Sequence, residues 1–343
     1  MLDDLKYIHE RDASDALGAA EKQYQQLKYD FDLPATNFTP QNIVYSAMGG
    51  SALAALFSQT WPGYTVPFEI VRGYDIPAYV SDKTLFIASS YSGSTEETLS
   101  TLAQAEAKGA HIMIITGGGK LAEIARDKGY ALALLPKTEL SRYTLSANVK
   151  ALLSLVKPCH ALAVENACDQ LEAQTDFLQT AATAWRPDVK TADNVAKQLA
   201  QELMGKSVAV YSGPKLFPGA YKWKLSINEN AKQLAWTNQL PEFSHNEFTG
   251  WTKQPIEKPY AVVEIRSSLE HARIQERFTV GDRLLSGLRP SPIVVTPHGT
   301  TLLEQLLWSC MLGDFVGIYL GLLNGLDPTP LPLVEKLKQT LAA

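Results

Sequence analysis

Short apolar runs rich in β-forming residues alternate with helical segments through the first half of the chain. Strands are predicted over residues 41–48, 66–72, 84–88, 110–116 and 130–135, and helices over 52–56, 99–108, 121–128 and 144–163. Turns of a few residues join these segments, a pattern typical of right-handed βαβ units. The strands are therefore predicted to form a buried parallel sheet, and the chain to be an α/β protein.

The second half of the chain repeats this outline at an offset of roughly 170 residues. The matching segments are 207–213 with 43–49, 260–266 with 84–88, and 291–296 with 111–116. Two copies of one α/β unit explain this pattern economically, and chance similarity between generic strands is the alternative.

A stretch dense in hydroxyl side chains, residues 89–98, connects a predicted strand to a helix. Free backbone N–H groups and the helix dipole make a helix N-terminus an anion site, and Ser90, Ser92 and Thr95 add hydroxyl donors. The alternative is a Ser/Thr N-cap followed by glutamates, which needs no ligand. Because open α/β sheets bind ligands where strands end, this density of hydroxyls favours a phosphate site.

A second turn of this kind, Gly49-Gly50-Ser51, follows the first predicted strand. Glycines such as Gly50 let the backbone approach a ligand closely, so Gly50 and Ser51 are candidates for the same phosphate. The pattern is neither G-x-G-x-x-G nor a Walker loop, and a simple tight turn is an equal alternative. In the second copy, residues 266–270 are only a weak version of the hydroxyl-rich loop, so one phosphate site per chain is expected.

Composition excludes several classes of function. The formal net charge of −5, without a Lys/Arg-rich run, argues against nucleic-acid partners. Acidic residues follow Met1 where a signal peptide would be basic, and no uncharged run reaches the roughly 18 apolar residues of a membrane span. The three cysteines form no C-x-x-C pair, which favours a cytoplasmic location, and no His or Cys cluster has metal-ligand spacing.

Two further segments look unlike scaffold: residues 225–236, which contain Glu229, and residues 240–251, which contain His245. A carboxylate and an imidazole in an aromatic, amide-rich setting suit proton transfer. On composition alone, a solvated helix acid and an ordinary loop histidine are the favoured alternatives.

At these residues the chain resembles the bifunctional phosphoglucose/phosphomannose isomerases of the sugar-isomerase (SIS) domain superfamily, over nearly its whole length. The motifs that carry the resemblance are Met48–Ala52, Ser90–Thr98, Asn228–Lys232, Pro241–Glu247 and Leu326–Pro330 before a C-terminal helix. Five motifs in the right order and spacing overturn the alternatives for Glu229 and His245.

The resemblance implies two SIS-type subdomains in tandem, each a flavodoxin-like αβα sandwich around a parallel sheet. The expected division is a helical arm over 1–38, a first SIS domain over 39–165, a helical connector over 166–200 and a second SIS domain over 201–343. The implied activity is isomerisation of glucose 6-phosphate and mannose 6-phosphate to fructose 6-phosphate, with no cofactor and no metal.

The resemblance also implies a role for each site residue. Ser51, Ser90, Ser92 and Thr95 would hold the sugar phosphate, and Glu229 would move the proton between C1 and C2. His245 would assist ring opening in the neighbouring subunit's site, which implies a homodimer. A lysine of the last helix, Lys338 or its rival Lys336, would also assist. Arg142 would stabilise the enediolate, although its surroundings depart from the family's Pro-Arg-Ala-Ala-like setting.

Two other functions are alternatives. An aminosugar-phosphate isomerase or deglycase also has paired SIS domains, but it would lack the combined motifs around Glu229 and His245. A non-catalytic phosphosugar-binding SIS module would bind the sugar without turning it over, and would have no need of Glu229.

Overall fold

The structure is a computed structural model that describes residues 1–253 and 259–341. The strands are β1 (Asn42–Ser46), β2 (Phe68–Val71), β3 (Thr84–Ser90), β4 (His111–Thr116), β5 (Ala131–Leu134), β6 (Ser207–Ser212), β7 (Ala235–Gln239), β8 (Tyr260–Ile265) and β9 (Ile293–Val295). The helices are α1 (Leu5–Arg11), α2 (Ala16–Glu21), α3 (Gly49–Thr60), α4 (Glu96–Ala107), α5 (Gly119–Lys128), α6 (Leu145–Val156), α7 (Ala167–Glu172), α8 (Thr175–Ala184), α9 (Val195–Leu203), α10 (Phe217–Asn230), α11 (Glu247–Gly250), α12 (Ala272–Leu284), α13 (Leu302–Leu323) and α14 (Pro332–Leu341).

The chain divides into two compact units, each with its own parallel sheet. The N-unit comprises Gln23–Phe177, and the C-unit comprises Met1–Lys22 together with Leu178–Ala343. The strand order is β2-β1-β3-β4-β5 in the N-unit and β7-β6-β8-β9 in the C-unit. With β6 to β9 as counterparts of β1 to β4, the two orders agree, which confirms the predicted repeat and the predicted fold class.

The N-unit sheet is buried because its central strands are apolar on both faces. Every residue of β3 is buried, and β1 and β4 are buried after their first residue. On one face, Phe86 and Ile114 pack in a cluster with Leu102 of α4 and Leu121 of α5. Such continuous apolar strands are typical of parallel sheets covered by helices on both sides.

This strand order creates a crevice between β1 and β3. The chain leaves β1 through α3 toward β2, but it leaves β3 through α4 toward β4 on the other side. At such a switch point the two loops diverge and leave an opening at the carboxyl ends of the strands. The Gly-Gly-Ser turn and the hydroxyl-rich loop therefore lie on adjacent strands, which pair through Ser46 and Ala88.

The C-unit is organised around α13, whose residues are buried almost throughout. By length and composition this helix could cross a membrane, but its most apolar window is wholly buried inside the protein, as in the core helix of a globular domain. Glycines spaced four apart, Gly313, Gly317 and Gly321, face α10. A Cβ atom at Gly317 would lie 2.7 Å from the carbonyl oxygen of Ser226, so the two helices approach at backbone distance.

Two predictions about elements were wrong in detail. Residues 1–38 are not helical throughout: helical structure ends at Lys28, before a stretch that contains Pro34 and Pro40. The helix predicted over 144–163 ends at Val156, just before Pro158. Residues 225–236 supply the end of α10 and the start of strand β7.

Candidate active site

Three hydroxyl groups at the end of β3 converge. The Ser90 Oγ lies 2.7 Å from the Thr95 Oγ1 and 3.3 Å from the Ser92 Oγ. The Ser90 Oγ also accepts a hydrogen bond from the backbone N–H of Gly93, at 3.2 Å. Ser90 is buried, whereas Ser92 at the loop tip is exposed. The loop therefore presents a set of rotatable hydroxyl donors at the sheet edge.

Neither helix that begins at this crevice is capped by a side chain. Thr95 occupies the N-cap position of α4, but its side chain makes no capping hydrogen bond. The N-cap of α3 is Met48, which likewise makes no side-chain cap. The first N–H groups of an α-helix have no partner within the helix, so both helices direct uncapped donors and positive dipole ends to this edge.

The hydroxyl-rich loop packs tightly against the loop that follows β4. Gly93 has a φ of +69°, and a Cβ atom at Gly93 would lie 1.8 Å from the carbonyl oxygen of Gly118. The Gly93 carbonyl in turn accepts from the backbone N–H of Leu121, at 2.9 Å. No other residue type fits at Gly93 without moving the backbone, so this contact fixes the loop conformation.

Arg142 lies in the same unit, in a short 3-10 helix over Ser141–Tyr143, and is half-buried. The segment before it is held by Tyr91 of the hydroxyl-rich loop. The Tyr91 hydroxyl donates to the Pro136 carbonyl at 2.9 Å and accepts from the Thr138 backbone N–H at 2.6 Å. The Tyr91 hydroxyl thus connects the segment before Arg142 to the candidate phosphate loop.

Glu229 lies half-buried in the last turn of α10 in the C-unit. Its neighbour Asn228 fixes the end of the helix to β7, because the Asn228 Oδ1 accepts from the Ala235 backbone N–H at 2.8 Å. Just beyond the helix, the Lys232 Nζ donates to the carbonyls of Asp327 and Pro328, at 3.1 and 3.0 Å. The structure thereby brings together two motifs that are far apart in sequence, Asn228–Lys232 and Leu326–Pro330.

The other candidate side chains of the C-unit lie on its surface. His245 is exposed at the end of a 3-10 helix over Glu242–His245. Lys336 and Lys338 are both exposed on α14, so their surroundings do not distinguish between them. The structure therefore gathers the candidates into two groups, one in each unit, and leaves the assignment of their roles a prediction.

The C-unit fills its own switch point with a carboxylate. Glu270 lies after β8, and its Oε1 accepts from the backbone N–H of Lys215 at 2.8 Å, at the loop that follows β6. Burial raises the pKa of the Glu270 carboxyl, whereas hydrogen bonds from the backbone N–H groups of Lys215 and Leu216 oppose that rise. A Cβ atom at Gly213 would lie 2.3 Å from the same oxygen. Because the Glu270 side chain already takes up backbone N–H donors at this edge, there is a physical reason to expect only one phosphate site per chain.

Potential metal ligands do not cluster in the described part of the chain. Among residues 1–253 and 259–341, no group of three or more His, Cys, Asp or Glu side chains is placed to hold a metal ion. The cysteines Cys159, Cys168 and Cys310 are all buried, and burial raises the pKa of the Cys159 thiol to about 11.

Sequence reasoning missed the supporting side chains of the site. Tyr91, Lys232 and Glu247 lie within the motifs that carry the resemblance, but none was given a role, because their partners are distant in sequence. The signal that could have indicated a role for them is their position inside short motifs that also contain candidate site residues.

Two stretches of the chain match known domain families. Residues 39–164 match the SIS domain, and residues 192–341 match the family described as the bacterial phospho-glucose isomerase C-terminal SIS domain. The solved structure of a glucose-6-phosphate isomerase like protein from Thermus thermophilus covers 98% of this chain and 98% of its own, with a TM-score of 0.64 and 17% identity. At that identity the likeness concerns the fold.

Two relatives are similar over most of their length, and both are called bifunctional phosphoglucose/phosphomannose isomerase. The protein from Caldicellulosiruptor bescii is 34% identical over 306 residues, which is 88% of this chain and 89% of the relative. The protein from Aquifex aeolicus is 29% identical over 318 residues, which is 92% of this chain and 95% of the relative. The chain therefore belongs to the family of the bifunctional phosphoglucose/phosphomannose isomerases.

Proposed function

We propose that this protein interconverts glucose 6-phosphate and mannose 6-phosphate with fructose 6-phosphate. The relatives that carry this activity in their names match about nine-tenths of the chain. The reaction moves hydrogen between C1 and C2 of an open-chain sugar, so it needs an anion site for the phosphate and a base for the carbon-bound proton.

The observation that carries the proposal is the orientation of Thr95. A threonine at a helix start ordinarily caps the helix with its hydroxyl. Here that hydroxyl turns to the Ser90 Oγ, at 2.7 Å, and leaves the N-terminus of α4 without a side-chain cap. Uncapped N–H groups beside converging hydroxyls fit a phosphate dianion, so Gly50, Ser51, Ser90, Ser92 and Thr95 are assigned to the phosphate.

Glu229 is assigned as the base. In the aldose-to-ketose direction its carboxylate removes the C2 proton, and the electron pair forms the C1–C2 double bond while negative charge develops on O1. Arg142, whose charge is permanent, is assigned to stabilise that enediolate. The protonated Glu229 returns its proton to C1, and the O2 proton passes to O1 as the C2 carbonyl forms. Mannose 6-phosphate is the C2 epimer of glucose 6-phosphate. Rotation about C2–C3 brings its C2 proton to Glu229, and removal of that proton gives the same enediolate.

His245 and a lysine of α14, Lys338 or Lys336, are assigned to opening of the sugar ring. Because His245 is exposed on its own chain, it is available to a second copy. We infer a homodimer in which His245 completes the site of the neighbouring subunit.

The proposal is tested by incubating the purified protein with fructose 6-phosphate and EDTA, and by assaying glucose 6-phosphate and mannose 6-phosphate separately. The proposal expects both products in the presence of the chelator. Glucose 6-phosphate alone would remove the mannose half of the activity. Tight binding without either product would instead favour a phosphosugar-sensing module.

A further inference from the structure

We propose that Glu247 is a positioning residue for His245: its carboxylate fixes the loop that presents the imidazole. This inference rests on the proposed function, in which His245 opens the sugar ring. Glu247 lies two residues after His245, at the start of α11, and is half-buried although His245 itself is exposed.

Three donors from the C-unit sheet converge on the Glu247 carboxylate. The Oε1 accepts from the Trp236 Nε1 at 2.8 Å and from the hydroxyl of Tyr211, and the Oε2 accepts from the Asn238 Nδ2 at 2.8 Å. Tyr211 belongs to β6, whereas Trp236 and Asn238 belong to β7. One carboxylate therefore fastens the loop to two adjacent strands. Hydrogen bonds to a charged acceptor are shorter and stronger than neutral ones.

The Tyr211 phenol remains a donor in this arrangement. Burial raises the pKa of Tyr211 well above its ordinary value, and the negative charge of Glu247 raises it further. The same hydroxyl accepts from the Trp251 Nε1 at 3.1 Å, so it links Glu247 to the far end of the loop. Its hydrogen therefore points to Glu247, which gives the contact a fixed direction.

Apolar anchors hold the loop on either side of His245. Phe243 and Trp251 are only 4% exposed, and both belong to one apolar cluster with Tyr211. The Asn246 side chain accepts from the Glu247 backbone N–H, at 2.6 Å. Between Phe243 and Glu247 the backbone has little freedom, so the exposed imidazole is presented from a short, doubly anchored segment.

The chemistry predicts which step depends on this anchor. A ring-opening group must lie within hydrogen-bond reach of the ring oxygen and the anomeric hydroxyl, and misplacement by about 1 Å costs about a hundredfold in rate. Proton transfer between C1 and C2 is assigned to Glu229, on a different element. Removing the Glu247 anchor should therefore slow turnover of cyclic substrates and leave turnover of a substrate without a ring nearly unchanged.

The decisive substrate pair is fructose 6-phosphate and 5-deoxyfructose 6-phosphate. The second compound lacks the hydroxyl that closes the furanose, so it is acyclic and needs no ring opening. Turnover of both is followed as deuterium incorporation at C1 in D₂O, and each variant is compared with the wild-type protein on the same substrate.

The variants are Glu247→Gln and the double variant Asn238→Asp with Glu247→Gln. Glutamine keeps the size of the side chain, but it places an amide donor, Nε2, opposite the Asn238 Nδ2. Because the Asn238 Nδ2 is also a donor, that hydrogen bond is lost. Aspartate at position 238 restores an acceptor there and returns the negative charge to the network. The matched control is Glu242→Gln, an exposed carboxylate in the same loop whose Oε1 accepts from the Asn246 Nδ2 at 2.7 Å.

We expect Glu247→Gln to lower kcat/KM for fructose 6-phosphate by about 10- to 100-fold, and to change turnover of the acyclic substrate by less than about twofold. The double variant should recover most of the loss, and Glu242→Gln should behave as wild type. An equal loss on both substrates, no loss, or an equal effect of Glu242→Gln would overturn the inference.

Amide hydrogen exchange over residues 241–251 gives a readout that does not depend on activity. Exchange should be faster in Glu247→Gln than in wild type and slower again in the double variant, with other regions unchanged. Unchanged exchange in this loop would overturn the anchoring role. A wild-type protein that turns over neither substrate would refute the proposed function instead, and the exchange data would still report on the anchor.

Discussion

Thr95 shows that a residue's role depends on neighbours that a local motif does not contain. By its position before Glu96 and Glu97, it has the sequence of an ordinary helix cap. In the structure its hydroxyl contacts Ser90, because β3 ends beside the start of α4 and brings the two side chains within 2.7 Å. Gly93 makes this possible, since its left-handed backbone turns the loop back on itself.

The first prediction concerns these hydroxyls. Replacement of both Ser92 and Thr95 by alanine should raise KM for fructose 6-phosphate at least about tenfold, because each hydrogen bond to a charged group contributes about 1.5–3 kcal/mol. Steady-state kinetics measure the change. Ser94→Ala, which removes a further hydroxyl of the same loop, is the control and should leave KM unchanged. An unchanged KM in the double variant would mean that the hydroxyls serve only the local structure.

At the scale of elements, the strands of the two sheets were largely predictable, and β7 was not. Buried parallel strands such as β3 are continuous apolar runs, which the sequence displays directly. In contrast, β7 lies at a sheet edge, is half-buried after Ala235, and contains Thr237 and Asn238. Its polar residues resemble a loop when only neighbouring positions are compared, and its pairing with β6 is a tertiary property.

The starts and ends of helices were the least predictable features. Proline marks the end of α6 but lies just beyond it, and α4 begins at Glu96 rather than Leu99. The candidate site residues were recognised from motifs. Their supports were not, because contacts such as Lys232 with Asp327 and Tyr91 with Pro136 join positions 95 and 45 residues apart.

The pairing of α10 with α13 leads to the second prediction. Gly317→Ala should destabilise the protein by about 1–3 kcal/mol, because the new Cβ would press on the Ser226 backbone of the helix that carries Glu229. Urea unfolding measures the change. The control is Gly281→Ala in α12, where the nearest atom would lie 3.7 Å away, and it should be neutral or stabilising. Equal stability of the two variants would show that close packing of α10 on α13 is not required.

At the scale of the whole molecule, the two units share a fold, but the proposal assigns them different roles in the reaction. The N-unit leaves its switch point open at two uncapped helices, whereas the C-unit closes its own with Glu270. The C-unit instead carries Glu229 at the end of one helix and His245 on an exposed loop. The two units therefore share a strand order, while the loops at the carboxyl ends of their strands differ.

The third prediction concerns the proposed homodimer. His245→Ala and Glu229→Gln should each be nearly inactive alone, but a mixture refolded or co-expressed together should recover about a quarter of wild-type activity through the heterodimer. Recovery occurs because one site of the heterodimer combines an intact Glu229 with the partner's intact histidine. If His245 acted within its own chain, neither site of the heterodimer would be complete, and no activity would return.

The most direct test of the central claim is a comparison of Glu229→Gln with the wild-type protein in D₂O. Calorimetry should show that the variant binds fructose 6-phosphate about as tightly as wild type, because the phosphate contacts are intact. The wild-type protein should place solvent deuterium at C2 of glucose 6-phosphate, and the variant should lose turnover by about 10²- to 10⁴-fold, as expected when a general base is removed. Turnover and deuterium incorporation at wild-type rates in Glu229→Gln would contradict the assignment of Glu229 as the base.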